Sequence, residues 1–292
     1  MNPPEFEYVA PKTVQEAVDL LKVRGEWAKV LAGGQSLIPL LKLRLASPAL
    51  LVDIGKVPGL DYLAESDGHL RMGAMVRVAD LNRSALLKKK YPAIHDASGV
   101  IADPLVRNLG TVGGNISHGD PANDLPAVML ASEGEMAATG SGGNRVIKAE
   151  DFFTDTFTTA LAHDEILTEV RVPVPLPRSG GAYLKVEQKV GDFASAGVAV
   201  QLSVDRASMC TKVGIGLTAV GPTAVKAKKA EEAMLGKQVT DRVAVAEAAA
   251  LAADAATPTS DIRGTAEYKK RLVRLLVARG LKRASERAGG KE

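Results

Sequence analysis

The sequence predicts an α+β protein with two unequal parts. Helical and strand-like patterns alternate in the first part, whereas the second part begins with long strands and ends with three helices. Between them, segment 173–177 has proline at every second position, which neither a helix interior nor a central strand accommodates. A run of strands followed by helices is typical of a separate α+β domain. We therefore expect an N-terminal domain over residues 1–176 and a C-terminal domain over residues 177–287.

The N-terminal part begins with a helix followed by a strand. Thr13 and Glu16 stand three residues apart ahead of an apolar helical pattern, as in a capping box, and Gly25 stops the helix. A short buried strand is predicted over residues 27–32, and Ser36 is a candidate N-cap of the helix that follows. Further along, the patterns predict strands over residues 50–54 and 70–74 and a helix over residues 78–87.

The C-terminal part is predicted as a sheet followed by helices. Alternating apolar residues predict strands over residues 166–172, 182–186, 193–204 and 212–220. Thr223 is the expected N-cap of a helix that runs through Leu235 and ends at Gly236. Two further helices are expected over residues 243–256 and 267–284.

Composition excludes several classes of protein. The chain of 292 residues is 46% hydrophobic and 24% charged, as in globular proteins that bury an ample core. A net charge of +3 and an aromatic content of 4% give no reason to expect a nucleic-acid partner. No apolar run approaches the roughly 20 residues of a membrane span, and the N-terminus lacks the pattern of a signal peptide. We expect a cytoplasmic protein, in solution or peripheral on the inner face of the membrane.

The supply of metal ligands is poor. Cys210 is the single cysteine, so the chain can hold neither an internal disulfide nor a cysteine-ligated iron–sulfur cluster. Its four histidines are dispersed without the spacing of metal ligands. We therefore predict no metal site, and any redox chemistry must be carried by an organic cofactor.

Two glycine pairs stand out along the chain. The stretch Ala32-Gly33-Gly34-Gln35-Ser36 follows the first predicted strand, and Thr111-Val112-Gly113-Gly114-Asn115 follows a run that we interpret as extended. Because glycine has no Cβ, its N–H group can approach a ligand closely, and consecutive N–H groups bind anions such as phosphate. The helix predicted after Ser36 adds its dipole to the first loop. Together the two loops predict a diphosphate held from both sides.

The spacing of these glycines excludes the commonest phosphate-binding motifs. A dinucleotide-binding Rossmann unit needs Gly-x-Gly-x-x-Gly between a strand and a helix, whereas both pairs here are adjacent glycines. A Walker loop is excluded because no such run ends in Gly-Lys-Ser or Gly-Lys-Thr. A nucleotide must therefore bind on another fold.

Four ordered motifs carry a resemblance to a known family. They are Leu31–Leu37, Arg107–Ile116, Gly119–Asp124 and Ser260–Tyr268. The chain resembles the FAD-binding subunits of molybdenum hydroxylases, most closely the medium subunits of aerobic carbon monoxide dehydrogenases, and also the FAD domain of xanthine dehydrogenase. The resemblance runs from about Phe6 to about Arg283. It implies a vanillyl-alcohol-oxidase/PCMH-type FAD-binding domain of two α/β subdomains, over about 1–56 and 57–176, and then the family's C-terminal domain.

The resemblance also implies which residues contact FAD. The expected cofactor-binding residues are Ala32, Gly33, Gly34, Gln35, Ser36, Leu37, Ile101, Thr111, Val112, Gly113, Gly114, Asn115, Asp120, Asp124, Leu161 and Phe193. Phe193 stands where close relatives often have tyrosine, so the ring is kept and its hydroxyl is lost. Gln35 stands where some members have histidine.

Plainer interpretations of some of these residues stay open on sequence grounds. Asp120 and Asp124 could cap a helix that begins near Pro121. Taken alone, Ile101, Leu161 and Phe193 could each be ordinary core residues. The basic cluster of Lys269, Lys270, Arg271, Arg274 and Arg279 is typical of a solvated helix face or a subunit interface.

No pattern of residues predicts acid–base catalysis by this chain, so we name no catalytic residue. The resemblance implies that substrate is oxidised on a large molybdenum–pterin subunit and that electrons cross two [2Fe–2S] clusters of a small subunit. FAD on this chain then passes them to a quinone or another acceptor. A dimer of heterotrimers is the implied assembly. The alternatives are the FAD subunit of a xanthine, aldehyde or N-heterocycle dehydrogenase, a self-contained flavin oxidoreductase, and a nucleotide-binding module without a redox role.

Overall fold

The computed structural model describes residues 2–289. It begins with a small parallel sheet, in which β1 (Glu7–Val9) and β2 (Ala28–Leu31) flank β3 (Leu50–Asp53). The connecting helices are α1 (Val14–Arg24) and α2 (Leu37–Lys42). Helix α1 forms as predicted, because Thr13 accepts a hydrogen bond from the Glu16 N–H (3.1 Å) and Gly25 adopts a φ of 56° at its end.

The predicted strand over residues 27–32 is shorter and less buried than we expected. It covers Ala28–Leu31, and Trp27 lies outside it with 71% of its surface exposed. Ser36 makes no side-chain cap for α2.

A five-stranded antiparallel sheet with surrounding helices forms the middle of the chain. Its strands are β4 (Leu63–Ser66), β5 (His69–Gly73), β6 (Glu135–Gly140), β7 (Gly143–Lys148) and β10 (Ile166–Pro173). Their order in the sheet is β4-β5-β10-β6-β7, so the last strand in sequence lies at its centre. Between β5 and β6 come α3 (Val78–Arg83), α4 (Ala85–Lys90), α5 (Pro92–Val100), α6 (Pro104–Leu109), α7 (Val112–Ser117) and α8 (Asp124–Ala131). Helix α9 (Ala149–Phe152) and the small hairpin of β8 (Phe153–Asp155) and β9 (Thr158–Thr159) precede β10.

The single helix predicted over residues 78–87 is wrong. Two helices, α3 and α4, meet at Ser84, whose extended backbone (φ −70°, ψ 115°) interrupts the helix. The Ser84 hydroxyl accepts a hydrogen bond from the Leu87 N–H (3.3 Å) and so caps the second helix. A serine in an apolar periodic segment can begin a helix as well as continue one.

The remainder of the chain is an antiparallel sheet followed by helices, as the sequence predicts. The strands are β11 (Ser179–Glu187), β12 (Ala194–Val204), β13 (Cys210–Thr218) and β14 (Val225–Lys226). The helices are α10 (Lys228–Met234), α11 (Arg242–Ala255) and α12 (Ala266–Ala288). Thr223 does not cap α10, which begins five residues later, but Gly236 ends it with a φ of 69°.

The C-terminal sheet is covered on both faces. Helix α12 packs on β11 and β12 from one side, whereas α5 and α8 of the preceding segment pack on the other side. Gly214 and Gly216 allow α8 to lie directly on β13, because a Cβ at either position would overlap the carbonyl oxygen of Ala131 or Ala127. Among the three hydrophobic cores formed by residues 2–289, the central one contains side chains from both halves of the chain, including Tyr183 and Ala199. This contact positions the site described next. The domain boundaries at 56/57 and 176/177 stay predictions.

Candidate cofactor site

The first glycine pair forms a cradle of backbone donors between β2 and α2. Within residues 2–289, the N–H groups of residues 33–37 donate no hydrogen bond to the protein. Gly34 adopts a φ of 72°, a left-handed conformation that glycine accepts at no steric cost. Consecutive unpaired N–H groups in such a turn bind anions. The assignment of residues 32–37 to the cofactor stays a prediction.

The second glycine pair differs from our prediction, because it is not a loop and does not follow an extended run. It forms the first turn of α7, directly after helix α6. The N–H groups of residues 112–115 are used by the protein: Val112 and Gly113 donate to the carbonyl groups of Val76 (2.9 Å) and Ala74 (2.8 Å), and Asn115 donates to that of Thr111 (3.0 Å). The N–H of Gly114 is bound by the Thr111 hydroxyl (3.1 Å), which caps the helix. Within this stretch only the N–H of Thr111 donates to no protein group, so the stretch offers no run of consecutive free N–H groups like that of residues 33–37.

The two glycine stretches nevertheless lie against each other. A Cβ on Gly33 would overlap the carbonyl oxygen of Leu109 and lie 2.9 Å from the Cα of Gly110. A Cβ on Gly114 would lie 3.8 Å from the Cβ of Ala32. Gly33 is thus required for contact between two protein segments, and its missing side chain does not in itself leave room for a phosphate.

A second group of predicted residues gathers around Lys185, a residue for which we predicted no role. The side chain of Lys185 is 2% exposed, and its ammonium group donates to the carbonyl groups of Val100 (2.7 Å) and Asp192 (3.1 Å). It also lies 3.4 Å from the carboxylate of Asp124. Through Lys185, strand β11 therefore contacts the end of α5, the start of α8 and the segment that precedes Phe193.

Asp124 is a buried carboxylate with partners from the C-terminal sheet. It is 6% exposed and accepts hydrogen bonds from the Tyr183 hydroxyl and from Lys185. Burial raises the pKa of Asp124 to about 6, and the positive charge of Lys185 opposes this increase. The capping interpretation of Asp124 is wrong, because its carboxylate bonds these side chains and no N–H group of its own helix.

The neighbouring polar residues connect this carboxylate to the glycine helix. Asp120 accepts a hydrogen bond from the Ala122 N–H (2.8 Å) in a turn ahead of α8, so it caps no helix either. Asn123 donates through its amide to the carbonyl oxygen of Asn115 (2.8 Å). The second glycine stretch and Asp124 therefore belong to one connected site.

The remaining predicted residues are apolar and differ in burial. Ile101 is 8% exposed and belongs to the central core, against which half-buried Leu161 packs. Phe193 is 47% exposed, so it is not an ordinary core residue. The guanidinium of Arg263 lies 5.8 Å from the centre of the Phe193 ring. An exposed aromatic ring beside a charged group suits a surface that a planar ligand covers.

Unsatisfied polar atoms mark the same place. Within residues 2–289, three buried side-chain atoms make no hydrogen bond: Oδ1 of Asn115, Oε2 of Glu187 and Nε of Arg263. Glu187 Oε2 keeps an ion pair with Lys185 at 3.1 Å. Buried polar groups are nearly always bonded, so unpaired ones point to a missing partner. Together with the cradle of free N–H groups, they fit FAD, which offers phosphate oxygens and hydroxyl groups.

Comparison with known proteins identifies the family. Residues 4–175 match the model of the FAD-binding domain in molybdopterin dehydrogenases. The chain belongs to this family. Residues 181–284 match the C-terminal domain of carbon monoxide dehydrogenase flavoproteins. The family's members are FAD-binding subunits of molybdenum hydroxylases, which are oxidoreductases, and FAD is their cofactor.

Relatives and solved structures align over almost the whole chain. The medium chain of carbon monoxide dehydrogenase from Hydrogenophaga pseudoflava is 42% identical over 97% of this chain and 98% of its own. Subunit alpha of the 6-hydroxypseudooxynicotine dehydrogenase complex from Paenarthrobacter nicotinovorans is 35% identical over 99% of this chain and 97% of its own. The structure of a cyanide-inactivated Cu,Mo-CO dehydrogenase superimposes with a TM-score of 0.95 at 40% identity, covering 98% of this chain and 100% of that one. The predicted fold is thereby confirmed.

The described residues offer neither a metal-binding cluster nor a membrane-spanning helix. Residues 2–289 contain no group of three or more histidine, cysteine, aspartate or glutamate side chains placed to hold a metal ion. Every helix in the same range is too short or too polar to span a bilayer.

Proposed function

We propose that this chain carries FAD in a three-subunit molybdenum hydroxylase and relays electrons from an iron–sulfur subunit to a quinone or another acceptor. The observation that carries the proposal is the pairing of a free N–H cradle at residues 33–37 with a buried polar site that is incomplete without a ligand. A nest of N–H groups suits the diphosphate, and the unpaired Asn115 oxygen suits a hydroxyl of the ribityl chain.

The other residues of the site would orient the cofactor. Ile101 and Leu161 supply an apolar wall, and Phe193 supplies an aromatic face without a hydroxyl group. The contact between Asp124 and Lys185 holds the two halves of the chain together at this place. It would thereby fix the relative positions of the side chains that line the site. The bound flavin would supply the electron-transfer chemistry, and these side chains supply binding and orientation.

The partners follow from the same assignment. The single cysteine leaves this chain unable to ligate an iron–sulfur cluster, so the electron donor must be another polypeptide. We propose a small subunit with two [2Fe–2S] clusters and a large molybdenum–pterin subunit, assembled as a dimer of heterotrimers. The complex is expected in the cytoplasm, in solution or at the inner face of the membrane.

Carbon monoxide is the proposed substrate of the complex, since the carbon monoxide dehydrogenase medium chain is 42% identical to this chain. A second candidate is a dehydrogenase that acts on an N-heterocycle or aldehyde, because a subunit of a 6-hydroxypseudooxynicotine dehydrogenase is 35% identical over nearly the full length.

The test is to express the full chain with its neighbouring genes and to purify it under native conditions. We expect flavin absorbance bands, about one FAD per chain, and co-purification with the two partner subunits. Carbon monoxide should bleach the flavin bands of the complex, whereas an N-heterocycle should not. A flavin-free chain would contradict the cofactor assignment. A flavin-containing chain that turns over a substrate alone would contradict the role as a subunit.

A further inference from the structure

The motif Ser260–Tyr268, which resembles a stretch of the same family, lies outside the glycine stretches and the Asp124 site. In the structure it is the loop between α11 and α12 and the first turn of α12. The loop is held to α12 by Lys269, whose buried ammonium group pairs with Asp261 (2.7 Å) and donates to the carbonyl oxygen of Thr259 (3.0 Å). Ser260 accepts a hydrogen bond from the Ala266 N–H (3.0 Å). The loop is therefore fixed at its base.

The tip of this loop makes hydrogen bonds and an ion pair with the segment that contains Phe193. Gln188 donates to the carbonyl oxygen of Ile262 (2.7 Å), and Ser195 donates to that of Arg263 (3.1 Å). Arg263 also pairs with the carboxylate of Asp192 (2.9 Å) and lies over the Phe193 ring. Bonds on both sides of Phe193 thus come from a single loop of the C-terminal domain.

Arg263 differs in its surroundings from Arg271, another ion-paired arginine of this domain. Its side chain is 25% exposed and its Nε is buried without a hydrogen-bond partner. Arg271 makes a comparable ion pair with Glu267 (2.5 Å), but its side chain is 71% exposed on the surface of α12. A charged hydrogen bond in a partly buried position is worth more than an exposed ion pair, and leaving a buried donor unpaired is costly. The environment of Arg263 therefore indicates a site that a ligand completes.

We propose that Arg263 is a positioning residue of the cofactor site: it holds Asp192 and the Phe193 ring in the orientation in which they meet the flavin. The inference rests on the proposed function, because it requires FAD to bind beside Phe193. In this role, the Ser260–Tyr268 motif connects helix α12 to the flavin site.

The experiment compares FAD affinity among variants of the full chain. Arg263→Gln is expected to weaken FAD binding about tenfold, since one charge-assisted hydrogen bond and one cation–π contact are lost. Arg263→Lys keeps the charge and should recover part of the affinity. Arg271→Gln removes the same charge from the exposed ion pair and should leave affinity unchanged. The visible circular dichroism of bound flavin should change in Arg263→Gln and not in Arg271→Gln.

A double-mutant cycle with Phe193→Leu separates positioning from simple stabilisation. If Arg263 acts through the ring, Arg263→Gln should weaken FAD binding much less in the Phe193→Leu background. Additive effects, or equal affinity of Arg263→Gln and the parent chain, would overturn the inference. Asp192→Asn breaks the same ion pair from the other side and replaces Arg263→Gln where that variant fails to fold. A parent chain that binds no FAD overturns the proposed function and this inference together, whereas a parent chain that binds FAD no more tightly than Arg263→Gln overturns only the inference.

Discussion

Gly33→Ala tests whether the contact between the two glycine stretches maintains the cofactor site. The added Cβ would lie 2.9 Å from the Cα of Gly110 and 3.0 Å from the carbonyl carbon of Leu109. Ordinary carbon contacts are about 3.5–4.0 Å, so the two segments must separate by about 0.5–1 Å. These are backbone atoms, which cannot rotate away, and such overpacking costs about 1–3 kcal/mol. If FAD needs the original spacing, its affinity falls by a factor of about 5 to 150.

The assay is fluorescence titration of the flavin-free chain with FAD, together with urea unfolding of the same preparations. Gly142→Ala is the matched control, because a Cβ there meets nothing within 4 Å. We expect a loss of FAD affinity in Gly33→Ala and none in Gly142→Ala. Equal affinity of the two variants would refute the reasoning, since the close approach of residues 33 and 110 would then have no bearing on the cofactor.

Three further changes probe burial and charge. The raised pKa of Asp124, about 6, means that its folded state binds a proton more tightly than its unfolded state. The unfolding free energy of the flavin-free chain should therefore fall by about 3 kcal/mol between about pH 4 and 6, and urea titrations of Asp124→Asn should lack this component. Lys185→Met removes the donor from a buried carboxylate and should cost about 3–5 kcal/mol, whereas exposed Lys189→Met should not. Phe152→Ala empties a fully buried position and should cost about 3–5 kcal/mol in the same measurement, with FAD still bound at high cofactor concentration.

Local sequence patterns correctly predicted the elements that depend on a helix cap or on a regular alternation of apolar residues. Helix α1 has its cap at Thr13, and the long strands β12 and β13 lie within two residues of their predicted ranges. Even in α1 the capping box is altered, because Glu16 reaches back to the N–H of Lys12 (2.7 Å) and not to that of Thr13. Caps and alternation depend on neighbours in sequence, which is why they could be read without the structure.

Helix α7 was missed for a physical reason that applies to the whole site. Glycine disfavours a helix interior by about 1 kcal/mol relative to alanine, so two adjacent glycines argue locally for a loop. In the structure, Gly113 packs so closely on Ala74 that a Cβ would lie 2.9 Å from its carbonyl oxygen. The gain from close packing outweighs the low propensity, and no local pattern signals it.

Lys185 and Arg263 could not be found from spacing for the same reason. Their roles depend on which residues of the other half of the chain face β11 and the loop before α12. One weak signal existed for Lys185, which lies two positions after buried Tyr183 on the same face of a strand that is uncharged from Ser179 to Leu184. A charged residue on a buried face indicates a paired or functional group.

The contact of Asp124 with Lys185 has a consequence for the biosynthesis of the chain. Asp124 and Lys185 are 61 residues apart in the sequence, and Asp192 and Arg263 are 71 residues apart. A ribosome adds about 5–20 residues per second, so about 3–12 s pass between the synthesis of Asp124 and that of Lys185. During this interval the Asp124 carboxylate has no ammonium partner and remains hydrated. Cofactor loading is therefore expected to be a late event that follows release of the C-terminal helix from the ribosome.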